Sequence, residues 1–118
     1  MDYSDQRKHP RVNVDFYADW GRGPDCEHFD KITNLSAGGC FLATQKELSF
    51  RDMIYIRISD EMVGSLNLKA EVRYQLRIRE GSPPTGVGAQ FIGVSSENEQ
   101  KLQQLVSHYR LAGIRPGG

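Results

Sequence analysis

The chain has 118 residues, with 15 Lys and Arg against 15 Asp and Glu, so its formal net charge is zero. This is the length of one domain with one core, and the charge balance argues against a general nucleic-acid binder, which carries an excess of basic groups. No apolar run approaches the ~20 residues that span a bilayer, no apolar stretch in residues 1–9 reads as a secretory signal, and two cysteines are too few for a disulfide scaffold, so the expected compartment is the cytoplasm, without membrane insertion.

Residues 1–11 read as a polar, basic arm. Arg7, Lys8, His9 and Arg11 crowd together there, and Pro10 opposes a helix. From Val12 the pattern alternates. Val12, Val14, Phe16 and Ala18 fall on one face, and Asn13, Asp15, Tyr17 and Asp19 on the other, which predicts a half-buried strand. A turn signal at residues 21–25 leads to a second strand from Glu27 to Thr33. Residues 34–39, Asn-Leu-Ser-Ala-Gly-Gly, read as a tight loop, and Cys40 to Thr44 as a third strand.

Ile54, Ile56 and Ile58 mark a fourth strand. The longest alternation follows. Leu66, Leu68, Ala70, Val72, Tyr74, Leu76 and Ile78 take every second place, with Arg73, Arg77 and Arg79 among the polar residues between. A Gly/Pro-rich loop at residues 80–86 precedes a last strand with Val87, Ala89 and Phe91. Ser96-Glu97-Asn98-Glu99 reads as a capping box, with the Ser96 hydroxyl on the Glu99 amide. Leu102, Leu105, Val106 and Tyr109 then form one helical stripe. The expected organisation is therefore a basic arm over 1–11, a barrel over 12–95, a helix over 96–112 and a tail over 113–118. The fold class is mainly β: a six-stranded antiparallel β-barrel with one C-terminal α-helix.

Two clusters carry chemistry. A hairpin of the first two strands returns the chain near its start, so Arg7 and Arg11 should meet the Asn34–Gly39 segment. Arginine forks match phosphate oxygens and the O6/N7 edge of guanine. Gly38 and Gly39 allow positive φ, which can aim N–H groups at an anion. The Ser36 hydroxyl adds a donor, and the Asn34 carbonyl can accept from guanine N1–H or N2–H. This set fits a small anionic nucleotide. Cys26, His28 and Cys40 make a thin set for zinc, and no metal is expected. No nucleophile has a supporting base and orienting group, so no catalysis is expected.

The motifs Arg7-Lys8-His9-Pro10-Arg11 and Asn34-Leu35-Ser36-Ala37-Gly38-Gly39 resemble those of the PilZ domain, the bacterial receptor module for cyclic di-GMP. The resemblance extends over the strand ending in Val72-Arg73, the Gly86-Val87-Gly88-Ala89-Gln90-Phe91 strand and the closing helix. It implies that Arg7 and Arg11 bind guanine and phosphate, while Asn34, Ser36 and Gly39 line the other side. Gln6, Lys8, Gly38 and Arg73 are secondary candidates. The family more often has Asp at position 34, where Asn offers a single carbonyl acceptor. Gln6 stands where the family varies between one and two bound ligands. The resemblance implies a sensor that binds cyclic di-GMP and, having no output domain in this length, signals to a partner protein. A PilZ-like adaptor acting by protein contact alone is the alternative. Single-stranded RNA is a poor third, because the outward aromatics Tyr17 and Tyr55 make a weak stacking platform. The arm, rich in mutually repelling cations, is expected to order on the ligand.

Overall fold

Alternation with period two builds every wall of this molecule. In the computed structural model, which describes residues 10–113, the strands are β1 (Val12–Gly21), β2 (His28–Leu35), β3 (Gly39–Ala43), β4 (Met53–Asp60), β5 (Gly64–Arg77) and β6 (Pro84–Ile92). Helix α1 (Ser96–Gly113) follows. The strands close into an antiparallel barrel in the order β1-β2-β3-β6-β5-β4, with β4 pairing back onto β1. Most apolar members of the alternating sets meet inside. Ile32, Leu35, Leu42, Ile54, Leu66, Ala70, Val72 and Val87 are fully buried. Trp20 is buried with them, and its indole N–H donates to Asp30 Oδ2 at 2.8 Å, so this buried donor is met.

Leu102 and Leu105 bring the helix stripe onto β1 and β5, and Tyr109 packs on Phe16 at a ring distance of 5.7 Å. The helix cap sits one residue earlier than the capping box places it. The Ser95 hydroxyl accepts from the Asn98 amide at 3.1 Å, and the Ser95 carbonyl from the Glu99 amide at 2.8 Å. With Ser95 as N-cap, Asn98 and not Glu99 occupies the third helical position.

Three features of the strands also differ from the sequence reading. β2 runs on through Asn34 and Leu35, so the loop shrinks to residues 36–38, and β3 begins at Gly39. β6 begins at Pro84, inside the expected loop. The third difference bears on the site. The β5–β6 ladder shifts register between Val72 and Tyr74. The extra residue reverses the facing of all that follows, as a bulge must. Leu66 to Val72 point inward as expected. Tyr74 and Leu76, expected on that same face, are instead 43% and 48% exposed, and Ile78, beyond the end of β5, is 80% exposed.

The connection from β3 to β4, residues 44–52, folds over the barrel end and plugs it with Leu48. Arg51 N–H donates to the Val72 carbonyl and Val72 N–H to the Asp52 carbonyl, at 2.7 and 2.8 Å. The Asp52 carboxylate accepts from Ser49 N–H at 2.8 Å and from Arg22 at 3.2 Å.

Candidate functional site

The β1–β2 ladder pairs Val12 with Leu35 and Asn13 with Asn34. Arg11, one residue before β1, therefore stands at the mouth of the Ser/Gly turn. The turn holds itself together. Ser36 N–H donates to the Gly39 carbonyl at 2.8 Å, and the amides of Gly38 and Gly39 both donate to Ser36 Oγ at 3.1 Å. Phe91 N–H then takes the Gly38 carbonyl at 2.9 Å, tying the turn to β6. This corrects one expectation. Neither Gly38 nor Gly39 has positive φ, and their N–H groups are committed to Ser36 rather than aimed outward. Gly39 is required for a steric reason: a Cβ there would collide with the Ala89 carbonyl oxygen of the facing strand.

Arg11, Asn34, Ser36, Gly38 and Gly39 line one groove of about 260 Å³ on the outer face of β2, β3 and β6. Arg73 lines it from β5. Gln6, Arg7 and Lys8 lie outside the described residues. Three lining residues were not among the site candidates of the sequence reading: Phe41, Tyr74 and Gln90. The Phe41 and Tyr74 rings sit 6.3 Å apart, over Gly86 and Gly88 respectively, in the space a Cβ would take. The pair of glycines two apart on one face of β6 was the available signal, but it gains meaning only once the bulge turns Tyr74 outward.

Among the described residues the lining holds two arginines and no carboxylate. Arg73 Nη1 bonds Glu71 Oε1 and Gln90 Oε1, each at 3.1 Å, and its guanidinium lies 5.6 Å from the Phe50 ring centre. The groove can thus supply planar cationic donors, amide groups from Asn34 and Gln90, and an aromatic floor. Cys40 also lines it, but burial pushes its thiol up to about 12, so it stays protonated and unreactive at neutral pH. A larger groove of about 490 Å³ lies over β4 and β5 beside Cys26, Tyr55 and Lys69, and it lacks both arginines and the Ser/Gly turn. Among the described residues no three His, Cys, Asp or Glu side chains cluster as metal ligands, and no helix is long and apolar enough to cross a membrane.

A family model described as the PilZ domain matches residues 5–108. Among solved structures, the PilZ domain with c-di-GMP of YcgR from Escherichia coli is 16% identical with a TM-score of 0.66, over 92% of this chain and 94% of that one. The Bacillus subtilis inhibitor of motility (MotI/DgrA) is 19% identical with a TM-score of 0.72, and the K. pneumonia MrkH–c-di-GMP complex 19% with 0.70. Each is covered over 92% of this chain and 53% of its own, so this chain spans about half of either. These identities establish likeness of fold. No curated protein matches the chain.

Proposed function

The chain belongs to the PilZ domain family, and we propose that it is a receptor for cyclic di-GMP that passes the bound state to a partner protein. One observation carries this reading: the groove that gathers Arg11 and the Asn34, Ser36 and Gly39 segment from two separate stretches of chain, with cations and, among the described residues, no carboxylate in its lining. The family's ligand is an anionic dinucleotide, and the lining offers what each part needs. Arg11, joined by Arg7, takes phosphate and the guanine O6/N7 edge. Asn34 offers its carbonyl to guanine N–H. Ser36 and Gly39 act by shaping the turn, since their own hydrogen bonds are internal. At about 260 Å³ the groove lies near the low end for ligand clefts, so a dinucleotide rests across it rather than inside it. That leaves one face of the ligand for a partner to read. Gln6 and Lys8, which flank Arg7 in the sequence, are secondary ligand candidates.

The test is titration calorimetry with cyclic di-GMP and cyclic di-AMP. The guanine ligand binds; the adenine ligand, which presents N6–H₂ to an arginine fork, is weaker by roughly 1–3 kcal/mol per base. Arg11→Ala removes charge-assisted bonds of about 1.5–3 kcal/mol each, a loss of roughly tenfold or more per bond, with an unchanged circular dichroism spectrum. Absence of cyclic di-GMP binding by the wild-type chain overturns the reading and favours an adaptor acting by protein contact.

A further inference from the structure

The outer face of β1 and β2 carries a second surface that the groove does not use. Tyr17 and Phe29 are 54% and 63% exposed, yet their rings stack, with centres 4.9 Å apart and planes within 9°. The strand register explains why they meet. Tyr17 faces Lys31 and Asp19 faces Phe29 across the ladder. The two rings therefore occupy one diagonal of a four-residue square, and Asp19 and Lys31 the other. Lys31 Nζ lies 5.5 Å from the Tyr17 ring centre and 3.0 Å from Asp15 Oδ1. On its other side Asp19 pairs in register with Arg57, whose guanidinium donates to Asn67 Oδ1 and the Pro24 carbonyl.

Although stacked on each other, both residues remain more than half exposed, and exposed tyrosine and phenylalanine of this kind are typical interface anchors. The charges decide what occupies the surface. A purely basic partner would satisfy Asp19 but confront Lys31, and a purely acidic one would do the reverse. A second copy of the chain satisfies both. A two-fold axis along the Tyr17–Phe29 diagonal sets each ring against its own counterpart and each Asp19 against the other copy's Lys31. Axes along or across the strands instead set both charged groups against rings. We propose that the outer face of β1–β2 is a self-association surface, in which two copies stack Tyr17 and Phe29 and pair Asp19 with Lys31 across a two-fold axis. The barrel wall is convex, so the contact is small and the association weak and salt-sensitive. Asn34 and the groove lie toward the far end of β2, open in both copies.

Sedimentation equilibrium from micromolar to millimolar concentration tests this. The wild-type mass rises from that of the 13.3 kDa monomer toward twice that value. Tyr17→Ser with Phe29→Ser holds it at the monomer. Asp19→Lys or Lys31→Asp alone also holds it there, and the two together restore association. A wild-type chain that stays monomeric at millimolar concentration overturns the proposal. So does association that survives loss of both rings, or single charge reversals that the double reversal does not rescue. Circular dichroism of each variant verifies the fold.

Discussion

Ser36 accepts two amide hydrogens from its own turn, and this makes it the residue on which the site's shape rests. It is almost fully buried. Ser36→Ala leaves the half-buried amides of Gly38 and Gly39 without that partner, and the loss of each such bond costs about 0.5–1.5 kcal/mol. Loss of ligand affinity should accompany the loss of stability, and a urea titration beside calorimetry reads both. Gly39→Ala acts differently. Its methyl meets a backbone oxygen, which cannot rotate away, so β3 and β6 must separate at Ala89. Overpacking of this kind costs about 1–3 kcal/mol. Cys40, next in the chain, reports on the same seam. Its buried thiol, raised to about 12, should resist a disulfide reagent in the native protein at pH values near 8 and react promptly in urea. Fast native labelling of Cys40 would show that the seam opens locally.

At the scale of elements, the helix cap and the β3–β4 connection make separable predictions. Ser95→Ala removes the cap on Asn98 and should cost about 1 kcal/mol. Ser96→Ala, inside the first turn, should be nearly neutral. The reverse order in urea midpoints would restore the capping box. In the connection, the Ser49 amide is the main cause that holds the Asp52 carboxyl below its ordinary value, with Arg22 adding to it against some desolvation. The folded-state pKa thus lies below the unfolded one. The stabilisation is complete above the ordinary carboxylate value of about 4 and is lost as pH falls through the lowered one. Asp52→Asn should therefore be less stable than wild type at neutral pH, with the gap closing in acid. The connection also anchors at Val72, where β5 begins its bulge. Loosening it should disturb Arg73 and Tyr74 at the groove.

At the scale of the whole molecule, closure decides cooperativity. The β1–β4 seam is short, three residue pairs from Asp19–Arg57 to Gly21–Tyr55, against eight between β4 and β5. Helix α1 packs on β1 and β5, which leaves it with no core of its own. Barrel and helix should therefore unfold together. Trp20, buried in the barrel, reports by fluorescence and the helix by far-ultraviolet circular dichroism, and the two transitions should coincide. Leu105→Ala, on a fully buried helix residue, should lower both together by about 2–5 kcal/mol. An early helix transition would separate the two elements.

The sequence by itself determined what depends on neighbours along the chain. Alternation placed six strands and put Val12, Ile54, Leu66 and Val87 in the core, and helical spacing put Leu102 and Leu105 there too. The first hairpin, inferred from strand order, brings Arg11 to the Asn34–Gly39 segment. Tertiary structure decided what depends on pairing between distant strands. Whether Tyr74 and Leu76 point in or out turns on one extra residue against β6, and no local pattern records that bulge. The same facing gave the groove its aromatic floor and assigned Gly86 and Gly88 their purpose. The Gly38 and Gly39 amides could serve an anion or Ser36, and only the folded turn shows them on Ser36. The stack of Tyr17 on Phe29 likewise needs the β1–β2 register, because a side chain's partner across a sheet is set by the ladder and not by its place in the chain.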